Sequence, residues 1–114
     1  MLLKGTVLDP ARFAICVLTE YELGNIIWKD SRDRRIKSAG RVAEIFAENI
    51  GPLDRYGVDN LPGVLRVALE RNLTYYDASY AHLAEAKGLV LITQDGDLRK
   101  KTKNAIDLEE FGRL

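Results

Sequence analysis

The sequence predicts an α/β domain in three layers, a parallel sheet with helices on both of its faces. Three observations carry that prediction. Short apolar runs with β-branched members, within Arg12 to Leu18 and at Leu89 to Ile92, have the length and composition of buried strands. Segments with apolar residues at helical spacing alternate with them, and such an alternation packs most readily as parallel strands joined by crossover helices. Thr, Asn or Asp stands before the helical segments and Gly after several of them, which is the punctuation helices need at their ends.

A chain of 114 residues suits one domain with a modest core. A hydrophobic fraction of 46% and a charged fraction of 30% are those of a water-soluble globular protein. Lys plus Arg and Asp plus Glu are equal at 17 each, so no global charge points to nucleic acid or membrane. Any such signal is local. The one cysteine, Cys16, lies in an apolar run and has no internal disulfide partner, which fits a reducing compartment and a small core residue. No apolar stretch reaches the ~18 residues of a membrane span, and no signal-peptide pattern opens the chain, so a cytoplasmic location is expected.

Taken in order, Met1 to Pro10 is weakly patterned and Asp9-Pro10 reads as a turn. The strand within Arg12 to Leu18 follows, then a helix with Thr19 as its N-cap. Thr19-Glu20-Tyr21-Glu22 has the form of a capping box, and Leu23, Ile26 and Ile27 continue at helical spacing. A second helix is expected from Ile36 to Asn49, stopped by Gly51-Pro52, and a short edge strand at Tyr56-Gly57-Val58. Asn60-Leu61-Pro62 opens a third helix to about Arg71, and a fourth runs from about Tyr75 to Lys87 and ends at Gly88. The strand Leu89 to Ile92 leads through Thr93-Gln94-Asp95-Gly96-Asp97 into a short helix. A last strand at Ala105 to Leu108 precedes a terminal helical turn.

Charge is segregated along this order. Six basic residues against two acids between Lys29 and Arg41, and the cluster Arg99, Lys100, Lys101 and Lys103, form two local basic patches. They are by default solvated helix faces. His82, five positions after Asp77 and so about 140° around the helix, should face away from that acid in a surface or helix-packing role. Trp28 and Phe46 read as core or partner-interface residues.

Three carboxylates occupy comparable places. Glu22 and Asp77 fall in first helical turns, and Asp95 ends a strand, the edge where open α/β sheets bind ligands. Taken singly, each fits helix capping and the macrodipole, since Glu22 and Asp77 are the fourth residues of Thr-x-x-acid segments. Together on one edge they would repel and resist desolvation. A divalent cation with oxygen preference, Mg²⁺ or Mn²⁺, resolves that conflict and can assist phosphodiester hydrolysis.

The residues also resemble a known family. Tyr76-Asp77-Ala78-Ser79-Tyr80-Ala81-His82-Leu83-Ala84 matches the Tyr-Asp-Ala-x-Tyr-x-x-Leu-Ala signature of the PIN domains, metal-dependent nucleases that include the toxin ribonucleases of toxin–antitoxin pairs. Leu91-Ile92-Thr93-Gln94-Asp95-Gly96-Asp97-Leu98 is similar to the family's Leu-x-Thr-x-Asp-x-x-Leu, and Glu22-Leu23-Gly24-Asn25 to its Glu-x-x-Asn. The likeness covers essentially the whole chain. It implies Glu22, Asp77 and Asp95 as metal and catalytic acids, Asp97 as an outer acid or a solvent-facing residue, and Asn25 and Thr93 as supporting polar groups. It further implies an Mg²⁺- or Mn²⁺-dependent endoribonuclease with an antitoxin partner, its RNA guided by Arg32, Arg34, Arg35, Lys37, Arg99, Lys100 and Lys101. Family members begin with a strand ending in aspartate. That strand is expected to be missing here, leaving a single N-terminally incomplete domain whose exposed sheet edges favour a homo-oligomer. The competing expectation is an inactive PIN-like remnant that dimerises or binds a partner.

Overall fold

A computed structural model describes residues 14–113, in two compact units that meet in sequence at Gly57 and Val58. The expected N-terminal turn, the first residues of the first strand and the question of a missing strand fall outside the described residues.

In the N-terminal unit the order is β1 (Ala14–Cys16), α1 (Val17–Arg32), α2 (Ala39–Ile50) and β2 (Asp54–Tyr56). The strands pair in parallel, with Ala14 opposite Asp54, Ile15 opposite Arg55 and Cys16 opposite Tyr56. Cys16, Ile50 and Leu53 are buried, and Ile15 and Leu23 pack against the Ile50–Leu53 pair. An ion pair from Arg55 to Glu20 ties β2 to the first turns of α1.

Three expectations change here. The helix begins at Val17, directly after the strand, with Cys16 as an extended N-cap at φ −78° and ψ 146° that makes no side-chain cap bond. Thr19 is therefore inside α1 and not its cap, because Val17 and Leu18 wind into the helix instead of prolonging the strand. Glu22 moves with them into the second turn. The second helix starts at Ala39 and not at Ile36. Arg34 adopts a left-handed backbone at φ 61°, and the N–H groups of Arg35 and Ile36 both turn back to the Asp30 carbonyl, at 2.8 and 3.4 Å, to close the end of α1. The edge strand lies at Asp54–Tyr56, a shift that pairs it with β1.

The C-terminal unit holds α3 (Leu61–Arg71), α4 (Tyr75–Lys87), β3 (Leu91–Ile92), α5 (Gly96–Lys100), β4 (Ala105–Ile106) and α6 (Leu108–Gly112). Helices α3 and α4 form its core, where Val64, Ala68, Leu73, Ala78, Ala81 and Leu98 are buried together. Ala78 and Ala81 are 0% exposed, and their small side chains let the two helices approach closely. Asn60 caps α3 by accepting the Gly63 N–H at 3.0 Å, and Asn72 ends it in the left-handed conformation at φ 53°. A Cβ on Gly63 would come within 2.9 Å of His82 Nε2, so His82 packs against the start of α3, the helix-packing role expected of it.

Strands β3 and β4 pair in parallel, Leu91 with Ala105 and Ile92 with Ile106. The strand is half the expected length, and Leu89 and Val90 are exposed at 39% and 56%. The final strand is shorter too. Asp107 and Glu110 form a reciprocal capping box that draws Leu108 into α6. The joint between β4 and α6 is thereby set by a cap rather than by the apolar run. Trp28, expected in a core or interface, is 57% exposed with the Arg32 guanidinium 4.7 Å from its ring centroid. No described helix is long and apolar enough to cross a membrane.

Candidate active site

Asp77 and Asp95 reach one neighbourhood from two helix starts in the C-terminal unit. Thr74 is the N-cap of α4, and its Oγ1 accepts the Asp77 N–H at 3.1 Å. Asp77 is thus fixed at the third helical position. Asp95 is the N-cap of α5, where its Oδ1 accepts the Leu98 N–H at 2.9 Å. Its own N–H goes to Thr93 Oγ1 at 3.2 Å, and the Thr93 N–H extends the sheet ladder to the Ile106 carbonyl at 3.0 Å. Asp95 accordingly stands at the carboxyl end of β3, held there by Thr93.

The electrostatics show the two acids sharing a field. Partial burial pushes the Asp77 carboxyl above its ordinary range, the negative charge of Asp95 raises it further and that of Asp97 adds to this, while a hydrogen bond with the Thr74 side chain acts the other way. Asp97 itself is exposed, and its Oδ2 lies 3.0 Å from the Lys101 ammonium. The arrangement is short of positive charge. Two hard carboxylates with water access are the donor set from which Mg²⁺ is usually held, together with waters and substrate phosphate.

Glu22 and Asn25 lie on α1 in the N-terminal unit, both exposed and one turn apart. Among the described residues, no three His, Cys, Asp or Glu side chains gather as a ready metal cage. Cys16 is a buried free thiol whose pKa burial pushes up, with a smaller upward push from Glu22, so it is a core residue.

The basic residues divide by partner. Arg32 pairs with Asp33 at 3.4 Å and Arg35 with Asp30 at 3.8 Å, while Arg34 and Lys37 are exposed. Arg99 lies 3.5 Å from Asp107, Lys100 is exposed, and the Lys101 ammonium is turned to Asp97 and to the Asn72 carbonyl. Thr74 is a site residue that the sequence marks only as a cap. Its link to Asp77 was legible in the Thr-x-x-Asp spacing.

The PIN domain family model matches residues 2–104. The chain belongs to the PIN-domain family. It is 48% identical over 100 residues to Exonuclease VapC9 of Pyrobaculum aerophilum, an alignment spanning 86% of this chain and 73% of the relative. It also superposes on the crystal structure of PAE2754 from Pyrobaculum aerophilum with a TM-score of 0.79 and 46% identity, over 86% of this chain and 67% of that one. Within this PIN domain the Tyr-Asp-Ala signature is the first turn of α4, the Thr-x-Asp segment is the β3–α5 junction, and Glu-x-x-Asn lies along α1.

Proposed function

We propose that this PIN domain is a divalent-metal-dependent nuclease acting on RNA, the toxin member of a toxin–antitoxin pair in the cytoplasm. The observation that carries the reading is that the charge of Asp95, the N-cap of α5, falls on Asp77 in the first turn of α4. The 48% identity to a relative named as an exonuclease supports the reaction class. Asp77 and Asp95 would hold Mg²⁺ or Mn²⁺, and Glu22 is the further acid that the family resemblance implies. When bound, such an ion would supply positive charge against the negative charge that develops in phosphodiester hydrolysis.

The chain's own residues do the rest. Thr74 and Thr93 accept the backbone N–H groups of the two aspartates and so fix the backbone from which each carboxylate projects. Asn25 would lend a polar contact beside Glu22. Arg32, Arg34, Arg35, Lys37, Arg99 and Lys100 would follow the RNA backbone through phosphate contacts whose strength falls with salt.

The deciding experiment is cleavage of single-stranded RNA in Mn²⁺, with loss of activity on chelation and in Asp77→Asn. A circular RNA, which has no ends, separates internal cutting from end-trimming. A folded protein that cleaves neither linear nor circular RNA in either metal overturns the nuclease reading. The non-catalytic alternative, a module that dimerises or binds a partner, has its own observation: Tyr21 on α1 and Leu61 and Leu69 on α3 are 78%, 62% and 76% exposed. Sedimentation of the isolated chain and of a chain mixed with its antitoxin reads that alternative directly.

A further inference from the structure

Trp28 stands on α1 without an apolar neighbour on its own helix face. The residues three and four positions from it are Gly24, Asn25, Ser31 and Arg32, all small or polar. The Arg32 guanidinium lies 4.7 Å from the centre of the ring, and Trp28 is still 57% exposed with that arginine in place. A tryptophan that anchors a protein–protein contact sits at the centre of a patch from which charge is depleted. An open ring with an arginine beside it suits the bases of a single nucleic-acid strand, which it holds by stacking and by cation–π attraction.

The surroundings carry the matching charge. Between Lys29 and Arg41 six cations stand against two acids. Arg32 and Arg35 reach Asp33 and Asp30 at 3.4 and 3.8 Å, while Lys29, Arg34 and Lys37 are exposed and have no ion-pair partner among the described residues. A hydrogen-bonded turn displays these cations directly after Trp28. The N–H groups of Asp33, Arg34 and Arg35 donate to the Lys29, Ser31 and Asp30 carbonyls at 2.9, 3.1 and 2.8 Å, and Arg34 holds a left-handed backbone that glycine or asparagine adopts more readily. Trp28 is also one turn beyond Asn25 and six residues beyond Glu22, about 9 Å along the helix.

We infer that Trp28 is a base-stacking site for single-stranded RNA, flanked by Arg32, with the phosphates of the same strand following Arg34, Arg35 and Lys37. This deepens the ribonuclease reading and rests on it. Basic side chains alone attract any nucleic acid, duplex included, whereas a stacked base requires an unpaired strand. Tyr21, seven residues earlier and exposed, offers a second ring about 10 Å away along α1.

The test uses the fluorescence of Trp28, the single tryptophan of the chain. In chelator, so that the strand stays whole, oligouridylate should quench it, and an abasic strand of equal length should bind more weakly and leave it unquenched. By anisotropy of end-labelled oligouridylate, Trp28→Ala should bind about fivefold or more weakly, the lower bound for one stacked base, and Trp28→Phe should recover most of the loss. Arg34→Gln should weaken oligouridylate and the abasic strand alike and leave the quench at saturation intact. Oligouridylate that binds without quenching Trp28, or that binds folded Trp28→Ala as tightly as wild type, overturns this inference alone. Absence of oligouridylate binding by the folded wild type at low salt overturns the RNA reading together with it. A blue shift of the indole emission that grows with protein concentration in the absence of RNA assigns the ring to a contact between copies and overturns the stacking site as well.

Discussion

The Arg71 guanidinium grips both carboxylate oxygens of Glu85, with Nη1 2.7 Å from Oε2 and Nη2 2.8 Å from Oε1. This bidentate pair joins α3 to α4, and each partner has a second contact beyond it: Arg71 with the Lys101 carbonyl at 2.9 Å, and Glu85 with the Lys103 N–H at 3.0 Å. Fork-to-fork pairing of this kind is stronger and more directional than a lysine contact. It anchors the loop after α5 to the same two helices that carry the core.

Loss of Arg71 leaves Glu85 with one backbone donor and the Lys101 carbonyl without its guanidinium. Arg71→Met should therefore cost about 1.5–3 kcal/mol, the range for hydrogen bonds to charged groups that are partly withdrawn from water. Urea denaturation of the two proteins measures it. The guanidinium beside Glu85 holds its carboxyl below its ordinary value of 4.5. Because the folded pKa is depressed, this stabilisation is complete above pH 4.5 and is lost as pH falls through the lower folded value. The gap between wild type and Arg71→Met should narrow over that acid window.

Asp77 has the opposite sign. Its folded pKa is raised above the ordinary 3.8, by burial first and by Asp95 and Asp97 after that. The group therefore favours the fold when protonated, and that contribution fades as pH rises through the raised value. At pH 7 without divalent cations, Asp77→Asn should be more stable than wild type by a few tenths of a kcal/mol up to about 1 kcal/mol, and the two should converge near pH 3. Melting curves in chelator test this. Added Mn²⁺ should raise the melting temperature of the wild type and leave Asp77→Asn unmoved.

Asp95 has two duties that substitutions can separate. Asparagine is as good an N-cap as aspartate, whereas alanine is not. Asp95→Asn should keep the Leu98 N–H bond and the stability of α5 while losing RNA cleavage. Asp95→Ala should lose both, at a cost of about 1 kcal/mol. Equal activity in wild type and Asp95→Asn would reduce this residue to a cap.

Glu22 lies in the second turn of α1, exposed and outside any capping box. Glu22→Gln should change stability by less than about 0.5 kcal/mol, as for an ordinary surface substitution. Its effect should fall on cleavage and on Mn²⁺ affinity. A melting temperature displaced by several degrees would instead give Glu22 a structural duty.

Local chemistry made several elements legible before any contact was known. Asn60 with Pro62, Thr74 with Gly88, and the Thr93-Gln94-Asp95 turn each carry their own capping bond or left-handed stop, so α3, α4 and the β3–α5 junction stand where the sequence puts them. The family signatures lie on those same joints, and membership could be read from them. Thr19 shows the limit of this reasoning. Its spacing to Glu22 is that of a capping box, yet the helix begins two residues earlier, at Val17, directly after the Ala14–Cys16 residues that pair with β2.

By itself the sequence determined the parallel α/β character and the extents of α3 and α4, since each follows from short-range pattern or capping chemistry, and its motifs carried the family. Tertiary structure alone decided where strands stop, because strand length is set by the partner available and not by the length of an apolar run. It also decided which charges are engaged. Lys101 reads in sequence as one more cation in a basic cluster, and only the fold brings the end of α3 against it, so that its ammonium serves Asp97 and Asn72.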